Sequence, residues 1–367
     1  MKGARRNCPS QIRYRRLVVV AGTVLVISYF IFLGSHHSRG AIRPNAPDIR
    51  HGSTPAHQDV SSGINGTNPD EELTVVIASK ASEDTSWVKL KFPRMNSAIY
   101  IVDDDNANRQ FRTPMNKGNE AMVYLTYIID HYEHLPAVSV FAHAHIKSEH
   151  TDDVLGGSMV ESLQRLRPSQ VQKDGYFNMR CNWKPGGCPL YLNLHDPARS
   201  KFGGMEQASI LKAAWSELFP SSTASPEWAS QPYGGQFAAS REAIRNVPLK
   251  DWVRWRDWLV MTELTDYHSG RVWEYTWQYV LAGMSTFCPP PRDCYCEGYG
   301  VCFGSNFTFE EWTSRQDKLD DAISEYLLRN LTREEATTMQ EWLDGEKTVL
   351  EKALKRAKEQ GSALVVG

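Results

Sequence analysis

Three short apolar runs, separated by segments with helical spacing, constrain the fold more than any other feature of this chain. Residues 74–78, 98–102 and 138–141 are short runs rich in Val, Ile and aromatic side chains. Runs of this length and composition are typical of buried strands. Because buried strands that alternate with helices pair in parallel, the pattern predicts an α/β fold with a mostly parallel sheet and helices on its faces.

Other segments extend this prediction along the chain. Apolar spacing of three and four predicts helices over residues 121–132, 159–166, 207–219, 252–264 and 269–281. Asn116 or Asn119 is suited to cap the first of these helices. Residues 234–242 are expected to form a late strand that enters a helix, and the charged, periodic residues 310–359 predict helices on the outside of the domain.

Composition excludes some classes of protein. At 367 residues, with 41% hydrophobic and 11% aromatic side chains, the chain has enough apolar material for one large domain or two small ones. The formal net charge is −2, and basic residues are concentrated only at the N-terminus. We therefore expect no nucleic-acid partner.

The N-terminal segment predicts a membrane anchor. Residues 17–33 carry no charge and are long enough to cross a bilayer as a helix, and Lys and Arg precede them. Since positive flanks stay cytoplasmic, the remainder of the chain should face the lumen. A cleaved signal peptide is the alternative, but its apolar region is usually shorter, and Ser35-His36-His37 does not resemble a cleavage site. We therefore expect a single-pass type II membrane protein that is located in the Golgi or endoplasmic reticulum membrane.

The chain accordingly divides into five parts. We expect a cytoplasmic basic tail (1–16), a transmembrane signal-anchor helix (17–33), a flexible stem (34–72), a luminal α/β domain (73–309) and a C-terminal helical extension (310–367). Asn-X-Thr triplets begin at Asn65, Asn306 and Asn330, which fits glycosylation in the lumen, although such triplets also arise by chance.

Six cysteines follow the predicted anchor: Cys181, Cys188, Cys288, Cys294, Cys296 and Cys302. An even number in an oxidising compartment predicts disulfide bonds, which would brace the C-terminal part of the domain. A zinc site is the alternative for the cluster at residues 288–302, but its spacing and the three prolines at 289–291 do not match the usual paired motif. The sequence does not choose among the fifteen possible pairings.

Aspartates follow the second predicted strand. Asp103 and Asp104 stand where open α/β sheets bind ligands, at the carboxyl end of a strand. Their oxygens can accept hydrogen bonds from a base or a ribose, or can hold a divalent cation. A solvated turn explains the same residues, because Asp and Asn favour turns.

Histidines follow the third predicted strand. His143 and His145 have the alternate spacing that places two side chains on one face of an extended segment, and His150 and further carboxylates come soon after. This group could hold a transition metal. The alternative is that the imidazoles are structural.

A late aromatic segment contains candidate bases. Asp266 and Glu274 lie among tryptophans and tyrosines, which suits a general base placed beside a stacked sugar or ring substrate. The alternative is a helix that packs its aromatic face into the core, with Asp266 or Ser269 as its cap.

Several of these segments together resemble a known family. Residues 116–121, 124–130, 175–181, 236–241 and 272–275 are similar to a fungal, membrane-anchored family catalogued only as a domain of unknown function. The resemblance extends over residues 73–304 and implies no established activity.

A more distant resemblance is to nucleotide-sugar glycosyltransferases of the GT-A type. It rests on the first two strands, on Asp103 and Asp104, and on the helix start at Asn116 and Gly118. It implies a single GT-A-like, Rossmann-like domain in which these residues contact the nucleotide of the donor. The Asp-X-Asp that holds manganese in that family is replaced here by His143-Ala144-His145.

The leading hypothesis is therefore a luminal enzyme that transfers a sugar from a nucleotide-sugar donor to a small-molecule or glycan acceptor. His143 and His145 would lie near the diphosphate or a divalent metal, Mn or Mg, and Glu274 or Asp266 would deprotonate the acceptor hydroxyl. One alternative is a histidine-ligated metal oxidase or cyclase of fungal secondary metabolism. Another is a non-catalytic, disulfide-braced luminal scaffold.

Overall fold

A five-stranded mixed sheet forms the centre of the fold. A computed structural model describes residues 73–104, 110–147, 153–184, 186–201, 203–222, 224–329 and 331–363. The strand order is β2-β1-β3-β7-β4. The strands of this sheet are β1 (Leu73–Ser79), β2 (Asn96–Ile101), β3 (Val138–His143), β4 (Tyr176–Asn178) and β7 (Phe237–Ser240). A separate two-stranded sheet pairs β5 (Leu192–Asn193) with β6 (Trp228–Ala229).

The direction of the strands decides where a site can form. β1 pairs in parallel with both β2 and β3, so that Val76 lies between Ala98 and Phe141. β7 is antiparallel to both β3 and β4. Consequently β1, β2, β3 and β4 all run in one direction, and their carboxyl ends meet at one edge of the sheet, where α/β folds place their ligands.

Twelve α-helices surround the sheet in the described part of the chain. They are α1 (Ser86–Lys91), α2 (Ala121–His131), α3 (Met159–Arg165), α4 (Pro168–Asp174), α5 (Met205–Leu218), α6 (Arg241–Arg245), α7 (Leu249–Met261), α8 (Asp266–Glu274), α9 (Trp277–Ala282), α10 (Pro291–Tyr299), α11 (Asn306–Leu328) and α12 (Arg333–Ala363).

Each face of the sheet carries its own apolar core. On one face, Tyr124 of α2 packs against Phe141, Phe237 and Trp277, with ring centroids between 5.0 and 6.1 Å apart. On the other face, β1, β3 and α10 pack together with the buried side chains of α11 and α12. The alternation of strand side chains between the two faces explains this division, because every central strand is buried on both sides.

The strands and helices predicted from the sequence correspond well to those of the structure. The three apolar runs are β1, β2 and β3, paired in parallel as predicted, and residues 234–242 contain β7 and α6. The helix predicted over residues 269–281 is instead two helices, α8 and α9, which are separated at Tyr275 and Thr276.

The N-cap residues predicted for α2 and α8 are wrong. Asn119 has φ of +52°, a left-handed conformation, and the N-cap position of α2 is Glu120, which makes no side-chain capping bond. Thr265, rather than Asp266 or Ser269, caps α8 through a bond to the His268 N–H.

Three disulfide bonds use all six cysteines between residues 181 and 302. The pairs are Cys181–Cys294, Cys188–Cys288 and Cys296–Cys302. The prediction of disulfides is confirmed, and the zinc alternative for the cluster is wrong because each thiol of the cluster is bonded. Two of the bonds join the loop after β4 to residues 288–294, which lie about a hundred positions later in the chain.

The N-terminal predictions concern residues outside the described part. The basic tail, the anchor, the stem and Asn65 all precede residue 73, and Asn330 is also outside the described residues. Among the described helices, none combines the length and the apolar composition needed to cross a membrane.

The disulfides should differ in their contribution to stability. Cys181–Cys294 spans 113 residues and Cys296–Cys302 spans 6. Because a cross-link removes more entropy from the unfolded chain when it closes a longer loop, the C181S/C294S double variant should lose about 2.6 kcal/mol more of the free energy of unfolding than C296S/C302S. Chemical denaturation of the two double variants measures this difference, and equal losses would contradict the assignment.

Candidate functional site

A cavity of about 370 Å³ opens at the carboxyl edge of the sheet. The ends of β1 and β3, the loop after β1 and the turn that leads into α2 form its walls. Its polar lining consists of Ser79, Lys80, Glu83, Asn116, Asn119, Glu120, His143, His145 and Asp266. The cavity therefore brings together three candidate regions that lie far apart in the sequence.

Glu120 and His143 face each other in this cavity. The Oε2 of Glu120 lies 3.9 Å from the Nε2 of His143, and the two side chains expose only 14% and 19% of their surface. The main-chain N–H of His143 donates to the Oε1 of Gln236 at 3.0 Å, which fixes the end of β3. Glu120 also stands at the N-terminal end of α2, where the helix dipole favours negative charge.

The charges around His143 change its protonation. Burial lowers the pKa of His143, but the hydrogen bond and charge of Glu120, together with the charges of Glu274 and Glu83, outweigh burial and raise this pKa above its usual value. The imidazole of His143 therefore keeps its proton and its positive charge to a higher pH than an ordinary histidine, beside the carboxylate of Glu120.

Glu274, the last residue of α8, lies behind Glu120. Its side chain is 12% exposed and pairs with the guanidinium of Arg271 at 3.0 Å. Burial raises the pKa of Glu274 to about 7, an effect that the charge of Arg271 opposes and the charge of Glu120 reinforces. A carboxyl group with such a pKa can both accept and release a proton near neutral pH.

Gly235, in the turn before β7, lies between the two carboxylates. A β-carbon at this position would overlap the Oε1 of Glu120 and would lie 3.4 Å from the Cγ of Glu274. Only glycine leaves room for both side chains here. Glu120 and Glu274 therefore share one small, largely buried space.

Helix α8 is docked against the turn before α2 by residues four positions apart. The Oδ1 of Asp266 accepts a hydrogen bond from the Gly118 N–H at 3.3 Å. One helical turn later, a β-carbon on Gly270 would lie 2.8 Å from the Nδ2 of Asn119. A further turn brings Glu274 beside Gly235 and Glu120, behind the cavity lining, because residues i, i+4 and i+8 share a face of a helix.

The Asn116-Lys117-Gly118 segment has structural partners of its own. The Nζ of Lys117 donates to the carbonyl oxygens of Val260 and Thr262 at the end of α7, where a cation is favourable. Gly118 has φ of +69°, and a β-carbon there would lie 2.6 Å from Leu259. Asn116 lines the cavity. This segment thus places α7 and α8 as well as bordering the site.

Asp103 and Asp104 lie at the margin of the cavity. The lining reaches Val102, the residue before them. The Oδ1 of Asp103 accepts a hydrogen bond from the Ala81 N–H at 2.7 Å, which joins the loops after β1 and β2. Asp104 is half-buried. Their role as nucleotide ligands stays a prediction.

The two histidines have different glutamate partners. The Nε2 of His145 lies 3.2 Å from the Oε1 of Glu83, whereas His143 faces Glu120. The other carboxylate oxygen of Glu83 accepts the Lys80 N–H at 2.7 Å. In the described ranges, no group of three or more His, Cys, Asp or Glu side chains is arranged to hold a metal ion. His150, the third histidine of the predicted group, lies outside the described residues, and the role of His143 and His145 as metal ligands stays a prediction.

Arg271 is held by aromatic rings. Its guanidinium carbon lies 5.5 Å from the ring centre of Tyr233, 5.9 Å from that of Tyr267 and 5.4 Å from that of Tyr275. Cation–π attraction at such distances restrains the guanidinium and, through the ion pair, the carboxylate of Glu274.

Sequence reasoning did not select Glu120, Glu83, Gly235 or Arg271 as site residues. Glu120 carried one usable signal, because it directly precedes a helix that connects two strands whose carboxyl ends share an edge. Gly235 carried none, since its importance comes from contacts with residues more than thirty positions away. Arg271 carried a local signal that was not used, because it lies one helical turn before Glu274, with which it pairs.

The raised pKa of Glu274 predicts how stability depends on pH. From the ordinary carboxyl pKa of 4.5 up to about 7, the native state keeps a proton that the unfolded state has lost, so this residue makes stability fall as pH rises. In Glu274→Gln that fall should shrink by an amount on the order of 1–3 kcal/mol between pH 5 and pH 7.

Urea denaturation at several pH values tests this expectation. His143→Gln is the matched comparison: since the pKa of His143 is raised above 6.5, that substitution should alter the slope only toward higher pH. An unchanged slope in Glu274→Gln would contradict the assignment.

Comparison with known protein families gives a match. The family described as "Protein of unknown function (DUF3431)" matches residues 75–297, which begin in β1, end within α10 and include every residue of the site discussed above. No curated protein and no solved structure matches the chain. The chain belongs to the DUF3431 family.

Proposed function

We propose that this protein is a glycosyltransferase of GT-A-like architecture that transfers a sugar from a nucleotide-sugar donor to an acceptor hydroxyl. The observation that carries the proposal is the carboxylate pair of Glu120 and Glu274, brought together across Gly235 and opposed by His143. The pair lies at the carboxyl edge of the parallel strands, beside a cavity that His145 and Asp266 also line.

The carboxylate pair supplies a base for the acceptor. Glu120 lines the cavity and takes the proton of the acceptor hydroxyl, while Glu274 behind it shares that proton because its own pKa is raised to about 7. The acceptor oxygen forms a bond to C1 of the sugar as the bond from C1 to the phosphate oxygen breaks. The electron pair of that bond leaves with the nucleoside diphosphate.

The opposite wall of the cavity suits the donor. Asp103 and Asp104 follow β2, and we assign them, with Asn116 and Gly118, to the nucleotide. His143, whose pKa is raised, would carry positive charge that attracts a diphosphate. A divalent metal, Mn or Mg, would add to this attraction when bound through donor oxygens, and no step above depends on it.

Substitution of Glu120 tests the proposed base. Glu120→Gln should lower the rate of nucleoside diphosphate release by about 10²- to 10⁴-fold, because a positioned general base contributes that much. The dissociation constant of the donor should rise by a much smaller factor, because the loss of the Glu120 charge lowers the pKa of His143 and so weakens its attraction for the diphosphate. The measurement is turnover of uridine and guanosine diphosphate sugars by the full-length protein, with and without manganese.

The matched control is Glu161→Gln. Glu161 is also a half-buried, ion-paired glutamate, but it lies on α3 and pairs with Arg165 and Lys358. Its substitution should leave turnover unchanged. Absence of saturable binding to any of these donors would overturn the proposed function, as would full activity in Glu120→Gln.

We further propose that the folded domain lies in the lumen of the Golgi or endoplasmic reticulum, behind the anchor predicted at residues 17–33. Of the three predicted glycosylation sites, Asn306 lies within the described residues. It suits N-glycosylation because it is exposed at the first turn of α11.

Glycosylation tests this location. Enzymatic removal of N-glycans should lower the mass of the protein made in a secretory host, and Asn306→Gln should remove one glycan. Thr308→Ser is the control, because it keeps the acceptor triplet. A full-length protein without any N-glycan would argue against the luminal location.

A further inference from the structure

A second cavity, of about 440 Å³, lies near the disulfides. Its walls are the loop of residues 182–188, the start of α10 and one face of α11. This volume is within the roughly 300–1,000 Å³ of small-molecule sites. The base and donor assignments above do not use it.

One face of α11 lines the cavity with aromatic side chains at one end and polar side chains at the other. Phe309, Trp312, Gln316 and Asp320 recur at spacings of three and four, so they lie on the same side of the helix. The first two are aromatic and the last two are polar. The cavity therefore changes from an aromatic floor to a hydrogen-bonding end along a single helix.

The two tryptophans of the cavity present carbon surface to it. The Nε1 of Trp183 donates to the Pro289 carbonyl at 2.9 Å, and the Nε1 of Trp312 donates to the Leu350 carbonyl at 3.1 Å. Because both N–H groups are used by the backbone, what the rings offer to a ligand is their faces.

Covalent and ionic links hold these walls in place. Cys188–Cys288 and Cys181–Cys294 fix the loop against the segment that begins α10. An ion pair between Lys184 and Asp317 joins the loop to α11. The cavity is thus formed before any ligand arrives, which reduces the entropy lost on binding.

The position of this cavity relates it to the first site. β4 runs in the direction of β3, because both are antiparallel to β7. The residues that follow β4, including Trp183, therefore leave the same edge of the sheet as His143. Both cavities lie along that edge.

We propose that this second cavity binds a saccharide, and, if the proposed function holds, that the saccharide is the acceptor glycan. A pyranose ring has an apolar face of C–H groups and an edge of hydroxyls that both donate and accept hydrogen bonds. Fixed aromatic faces beside amide and carboxylate groups complement both features. At the polar end, Gln316 donates to Asp320 at 3.1 Å and Asp317 pairs with Lys184. Sugar hydroxyls can join these hydrogen bonds as donors and as acceptors, which a purely apolar ligand cannot do.

Direct binding without a donor tests the proposal. The probe is an array of oligosaccharides of glucose, mannose, galactose and N-acetylglucosamine, and the full-length protein should bind at least one saturably. Trp183→Ala should weaken that binding about tenfold, the value of one aromatic stacking contact. Trp183→Phe should restore most of it. Gln316→Ala should also weaken binding, and serves if Trp183→Ala fails to fold.

The controls separate the possible outcomes. Trp342→Ala removes an exposed tryptophan of α12 outside the cavity and should change nothing. Asn306→Gln should also leave binding intact; a gain in affinity would instead indicate that the protein's own glycan occupies the cavity.

No binding to the array, or binding unaffected by both Trp183→Ala and Gln316→Ala, would overturn the proposal. Saccharide binding is measured without a donor and without turnover, so failure here is distinguishable from failure of the proposed catalysis.

Discussion

The close approach of helix α8 to the turn before α2 is the contact on which the site depends. Gly270 allows it, since a β-carbon there would lie 2.8 Å from Asn119 and 3.1 Å from the carbonyl oxygen of Gly118. The Asp266 carboxylate then bonds to the Gly118 N–H. With the first two turns of α8 fixed in this way, Glu274 at its end has little freedom and must lie near Glu120.

The resulting site concentrates charge in a space with little water. Burial raises the pKa of Glu274, and the charge of Glu120 adds to this rise, while the same carboxylate favours His143 in its charged form. Arg271 keeps the arrangement stable, because its guanidinium pairs with Glu274 and is itself restrained by tyrosine rings. The group as a whole can move a proton without creating a large net charge.

The sequence predicted the parts of this structure that depend on local pattern. Short β-branched runs predicted β1, β2 and β3 and their parallel pairing, and the even number of cysteines after the predicted anchor predicted disulfide bonds. Two of the three cysteine pairs and the meeting of Glu120 with Glu274 were not predictable, because each joins residues a hundred or more positions apart in the chain. The role of Asn119 was missed for a local reason: its left-handed conformation excludes a capping role and serves the packing of α8.

The segment that leads into β7 connects the two cavities. Gly235 lies between Glu120 and Glu274, and the carbonyl of Gln236 accepts the Met179 N–H beyond the end of β4 at 3.0 Å. A few residues earlier, the backbone at Gln231 packs closely against Gly187. A β-carbon on Gly187 would overlap the carbonyl oxygen of Gln231. The carboxylate pair and the aromatic cavity are therefore positioned by one continuous stretch of backbone.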